Sequence, residues 1–140
     1  GGIDMMLAAK EGVDKSNNNP YLIAVTLLTS MDSNGLKDIG FTSTVNKQIL
    51  NLAKIASQAK MDGIVCSAKD IINIKSELPE SFLYVTPGIR LSSSTKDDQK
   101  RISTPLEAVK MGSNILVIGR PITQAKNPEA VLNEIMNEIS

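Results

Sequence analysis

Two segments of the 140-residue sequence put a glycine and an arginine at the end of an apolar run. One is Thr86-Pro87-Gly88-Ile89-Arg90; the other is Gly119-Arg120-Pro121-Ile122-Thr123. Glycine lets a backbone come close to a ligand, and a guanidinium presents a fixed fork of donors matched to phosphate oxygens. Taken singly, each arginine reads as solvated surface charge and each glycine as a turn. Repeated on consecutive runs, the pairing points to a phosphate site. Other candidates carry less. Thr29 and Ser30 follow an earlier apolar run and suit either a hydrogen bond to a polar ring or a strand-end cap. Gln99 lies in a polar loop that suits closing over a ligand or plain solvation, and the adjacent Asp97 and Asp98 fit solvation better than an acid pair. Cys66, inside an apolar run, reads as an inert buried thiol. Met5, Met6 and Met136 stand at helical positions, where core packing is the default.

Composition narrows the chemistry further. The chain has 15 basic and 15 acidic side chains, no His and one Cys. That excludes a triad of the Ser-His-Asp kind and a zinc site of Cys and His. A single Cys makes no internal disulfide, so a reducing, cytoplasmic setting is expected. Zero net charge argues against an electrostatic nucleic-acid footprint. No apolar run approaches the roughly 20 residues of a membrane span, and no signal peptide is expected. What remains is the chemistry of Lys, Arg, Asp, Glu, Ser, Thr and the backbone.

The elements that must hold these residues follow from periodicity. Residues 21–29, 63–68, 82–86 and 115–122 are short runs rich in β-branched residues without polar alternation, which reads as strands covered on both faces, as in a parallel sheet. Val45, Ile49, Leu52, Ile55, Ala56 and Ala59 follow a helical period behind Thr44 as N-cap. Ala68 to Leu78 repeats the pattern briefly. Ser103 or Thr104 caps a helix with Pro105 at its first position and Gly112 just past its end. Asn127 and Pro128 open the last helix, Ile3 to Lys10 reads as the first, and Gly12 to Pro20 as a polar loop. A helix followed by four strand–helix units means an α/β fold, either an open doubly wound sheet or part of a (β/α)8 barrel. No G-x-G-x-x-G turn or Walker lysine loop is present, which weakens the nucleotide-binding open-sheet alternative. In either architecture ligand groups gather at the carboxyl ends of strands, and in barrels a phosphate often sits between the loops after the last two.

Five ordered motifs, AVTLLTSMD (24–32), DGIVCSA (62–68), VTPGIR (85–90), DDQKRISTP (97–105) and VIGRPIT (117–123), together with the opening GGIDMMLAAKEG, resemble the C-terminal half of bacterial orotidine 5'-phosphate decarboxylases. The resemblance spans essentially all of residues 1–140 as one half-barrel unit. It implies a (β/α)8 TIM-barrel fold, usually homodimeric, converting orotidine 5'-monophosphate (OMP) to uridine 5'-monophosphate (UMP) and carbon dioxide in pyrimidine biosynthesis, with no metal and no organic cofactor. By the same resemblance, Thr29 contacts the pyrimidine and Pro87 lines the base pocket. Arg90, Gly119 and Arg120 hold the phosphate, and Gln99 bridges phosphate and base.

The departure from the family is as informative. Its Lys and Asp array, with a D-x-K-x-x-D pattern on the third strand, has no counterpart here, and Asp62, Lys69 and Asp70 do not match it. The sequence is therefore expected to carry half of a binding site and no catalytic residue. Four strands do not close a barrel, which takes about 200 residues or more. Pairing of two copies, or completion by a separate N-terminal half, is the expectation for such a chain. The alternatives are a decarboxylase completed from elsewhere, or a non-catalytic remnant that binds nucleotide or phosphate or only packs. A sugar-phosphate decarboxylase is disfavoured by the TPGIR, DDQ and GRPIT series.

Overall fold

Caps and turn residues decide where the helices begin and end. In the computed structural model, which describes residues 1–91 and 102–140, Thr44 accepts a hydrogen bond from Lys47 N at 3.3 Å and opens α3 (Val45–Gln58). Its stripe buries Ile49, Ala53 and Ala56. Ser67 N and Oγ both donate to Asp70 Oδ2, at 2.9 and 2.6 Å, and open α4 (Ala68–Ile74). Of the two expected caps for α5 (Pro105–Met111), Thr104 takes the role, and Gly112 ends the helix in the left-handed region at φ 105°. Asn127 accepts from Ala130 N at 3.1 Å at the start of α7 (Pro128–Ile139).

Some elements differ from the sequence reading. The first helix, α1 (Ile3–Asp14), runs past Lys10 through Gly12. The Lys10–Asp14 ion pair at 2.9 Å and the Glu11–Lys15 pair at 2.5 Å, each four residues apart, span its last turns. Two short helices appear where no apolar period announces them. Asp32 accepts from Asn34 N and Gly35 N to start α2 (Ser33–Asp38), and Arg120–Thr123 forms the single turn α6 instead of continuing a strand. Met5 and Met136 are 51% and 52% exposed; among the three methionines expected in the core, only Met6 is buried.

Strands β1 (Ile23–Val25), β2 (Gly63–Val65), β3 (Leu83–Thr86) and β4 (Ile115–Leu116) form one parallel sheet in the order β1-β2-β3-β4. Each strand lies beside its predecessor, so the order never reverses as it does at the switch point of a doubly wound sheet. One face carries Ile64, Cys66, Tyr84 and Thr86, all buried, and Ile64, Cys66 and Tyr84 join the core with α3 and α4. The other face carries the aligned row Val25, Val65, Val85 and Ile115. Val25 is 59%, Ile115 44% and Val117 48% exposed on this face, so among the described residues the sheet is covered on one face and not on two.

Two predictions follow from local structure. Lys60 sits at φ 58° after α3, where Met61 N donates to Ala56 O and Lys60 N to Ser57 O, both at 3.0 Å. This is the helix-ending motif that favours glycine. Lys60→Gly is expected to raise stability by about 0.5–1 kcal/mol, read as a higher urea midpoint at unchanged slope. Burial pushes the Tyr84 phenol above its usual 10.0, with the neighbouring Cys66 adding to it. The folded form thus holds this proton more tightly, so its contribution is full below pH 10.0 and is lost as pH rises through the folded value. Tyr84→Phe is expected to flatten that alkaline loss in a pH series of denaturation midpoints.

Candidate active site

The hydrogen-bond ladder extends past the ends of the strands and sets where each loop begins. Thr26 N donates to Val65 O at 3.3 Å, Cys66 N to Val85 O at 3.1 Å, and Val117 N to Thr86 O at 2.9 Å. The loops beyond enclose a cleft of about 410 Å³. Thr29, Pro87, Gly88, Arg90, Gly119 and Arg120 line it, over an apolar floor that includes Val25, Val65 and Val117. Five of the six residues expected at a site are thereby brought together from the ends of β1, β3 and β4. The sixth, Gln99, lies outside the described residues, as do Asp97 and Asp98.

Each position has a local cause. Thr29 is buried in the turn that precedes α2. Gly88 stands at φ 77°, a conformation that side chains rarely adopt. Arg90 is half-buried, and its Nη1 donates to Ile89 O at 2.8 Å. Gly119 accepts from Ile122 N and Thr123 N, at 2.9 and 3.0 Å, and so starts α6, whose first residue is Arg120. A Cβ added to Gly119 would meet nothing within 4 Å, and its φ is −103°. Neither packing within the described chain nor the left-handed region therefore calls for glycine there.

The charged residues on the described lining are Arg90 and Arg120. No Lys, Asp or Glu joins them there. Such a lining can grip an anion and shelter an apolar or aromatic group beside it, but it offers no Lys, Asp or Glu to carry a proton. Asp62 and Asp70, which do not match the family's array, are engaged elsewhere. Asp62 Oδ2 accepts from Leu22 N at 2.7 Å, before the start of β1 and β2, and Asp70 closes the α4 capping box. Among the described residues no group of three His, Cys, Asp or Glu is placed to hold a metal ion, and no helix is long and apolar enough to cross a membrane. The sequence reading missed the valine floor. Inside a uniformly apolar run, nothing in the sequence separates the half-buried Val65 from the buried Cys66.

The family model for the orotidine 5'-phosphate decarboxylase / HUMPS family matches residues 1–135. The chain belongs to this family. An orotidine 5'-phosphate decarboxylase of Saccharophagus degradans is 49% identical over 140 residues, covering 100% of this chain and 59% of its own length. That of Hydrogenovibrio crunogenus is 50% identical over 135 residues, covering 96% and 57%. The crystal structure of orotidine 5'-phosphate decarboxylase from Lactobacillus acidophilus aligns with a TM-score of 0.81 at 34% identity, covering 99% of this chain and 59% of that one. The chain thus spans less than two thirds of these family members, and its four strands form part of a TIM barrel.

The two cleft glycines separate folding from access. Gly88→Ala, at positive φ, is expected to cost about 1–2 kcal/mol of stability. Gly119→Ala is expected to stay within about 1 kcal/mol of the parent, because its Cβ enters open space. Parallel urea titrations check both; equal losses would contradict the different reasons given for the two glycines.

Proposed function

We propose that this chain forms the phosphate- and base-binding part of an orotidine 5'-phosphate decarboxylase. The observation that carries the reading is the single cleft where Thr29, Pro87, Arg90, Gly119 and Arg120 meet, with arginines as its only described charges. Arg90 and Arg120 take the 5'-phosphate, and the exposed Gly119 backbone lets it approach closely. Thr29 and Pro87 face the pyrimidine over the valine floor. Gln99 is assigned by family resemblance to bridge base and phosphate. Removing the carboxylate of OMP as carbon dioxide leaves a carbanion that must take a proton to become UMP. The described lining supplies no donor for that proton, so in this reading a lysine and its aspartates come from other strands of a complete barrel. Those strands also cover the open row of Val25 and Ile115. No metal and no organic cofactor enters this scheme.

The absence of Lys, Asp and Glu from the described lining favours a second reading for the chain by itself, which is nucleotide binding without decarboxylation. The two readings part in one experiment. UMP is expected to raise the melting temperature of the chain. Arg120→Ala should abolish the rise, in line with about 1.5–3 kcal/mol for one charged hydrogen-bond partner. Orotidylate absorbance should decay only when the remaining strands are supplied, for example as the N-terminal part of the Saccharophagus degradans relative. Decay with this chain alone would overturn the division of labour. No thermal response to UMP, with or without the added strands, would overturn the phosphate site.

A further inference from the structure

Arg90 enters the cleft directly after a backbone bridge that ties its loop to the start of α5. Arg90 N donates to Ser103 O at 3.0 Å, and Ser103 N donates to Gly88 O at 3.3 Å. Ile89 and Ser103 thus pair as an isolated parallel bridge, both buried, with Ile89 packed in a small core with Ala68 and Ala108. Ser103 in turn adjoins the α5 capping box. Glu107 Oε2 accepts from Thr104 N at 2.9 Å, Thr104 Oγ1 accepts from Glu107 N at 3.2 Å, and Thr104 O accepts from Ala108 N at 3.0 Å. The guanidinium takes its direction from the same peptide group, through Nη1 to Ile89 O at 2.8 Å. A continuous run of bonds therefore links the Glu107 carboxylate to the Arg90 side chain.

We propose that the Thr104–Glu107 capping box is a positioning element for Arg90, and that it sets the affinity of the cleft for a phosphate dianion although neither residue lines that cleft. The inference rests on the phosphate reading above. A long cationic side chain loses rotamer freedom when it grips an anion, and holding its backbone and one nitrogen beforehand lowers that cost. Releasing Thr104 N frees the Ser103 peptide, and the Ser103 peptide is what holds Arg90.

The test compares Glu107→Ala, Glu107→Gln and Thr44→Ala in the full chain, reading UMP affinity by calorimetry and amide hydrogen exchange residue by residue. Glu107→Ala is expected to weaken UMP binding about tenfold and to speed exchange at Arg90 and Ser103 by a similar factor, with Ile64 in β2 unchanged. Glu107→Gln, which can rebuild the box, should restore both. Thr44→Ala removes a cap of the same kind from α3 and should alter neither. Unchanged exchange at Arg90 in Glu107→Ala overturns the proposal. So does faster exchange with unchanged affinity, or an equal loss of affinity in Thr44→Ala. If the parent chain fails to bind UMP, the phosphate reading falls and the affinity role with it. The exchange comparison then still decides whether the box holds Arg90.

Discussion

The parallel backbone ladder is what every group at the cleft depends on. Register aligns Val25, Val65, Val85 and Ile115 in one row, and the bonds from Thr26, Cys66 and Val117 carry the alignment just past the strand ends. Four loops consequently leave the sheet at one level. Neighbouring strands stand about 4.8 Å apart, so the loops after β1 and β4 are separated by roughly 14 Å along the sheet. That span is more than a lone anion fills, and it suits a ligand with an anionic end and a flat ring. Thr29 at one side and Arg120 at the other are placed by this arithmetic rather than by any contact between them.

The same ladder gives the sheet two unlike faces. Ile64, Cys66, Tyr84 and Thr86 turn toward the helices and are buried. Val25 and Ile115 turn away and are open, although their residue types belong to an interior. Parallel sheets are almost always covered on both faces. An apolar row exposed in this chain, whose relatives have longer sequences, is therefore best understood as one wall of a barrel interior. The valine floor of the cleft is the end of that wall, which is why site and core are continuous here.

Much of this was legible before any coordinates. Thr44, Asn127, Pro105 and Gly112 announce helix boundaries through local chemistry, and the structure keeps all four. The glycine–arginine pairs stand out because glycine and guanidinium have narrow uses at strand ends, and the structure brings both pairs to one cleft. What stayed hidden depends on non-local geometry. α2 rests on an Asp32 turn whose side chain caps two backbone groups, a pattern that reads as loop in sequence. Met5 and Met136 carry apolar side chains that stay about half exposed among the described residues. Which of Val65 and Cys66 faces the cleft wall depends on register, and a uniformly apolar run does not declare its register.

The proposed separation of binding from chemistry has an electrostatic rationale of its own. A phosphate dianion is held best by cations that no nearby carboxylate already neutralises. At an effective dielectric of about 20, a carboxylate about 4 Å from the phosphate would oppose each of its negative charges by roughly 4 kcal/mol. Here the acidic groups nearest in sequence to the strand ends are committed elsewhere, Asp32 to α2 and Asp70 to the α4 capping box. The charged side chains on the described lining are accordingly the two arginines. An array of aspartates and lysines working on a substrate carboxylate needs the opposite environment. A barrel can supply both because its site draws on the ends of many strands. In the proposed reading, mounting the anion grip on the ends of β3 and β4, with an acidic array on other strands of the barrel, keeps each from quenching the other.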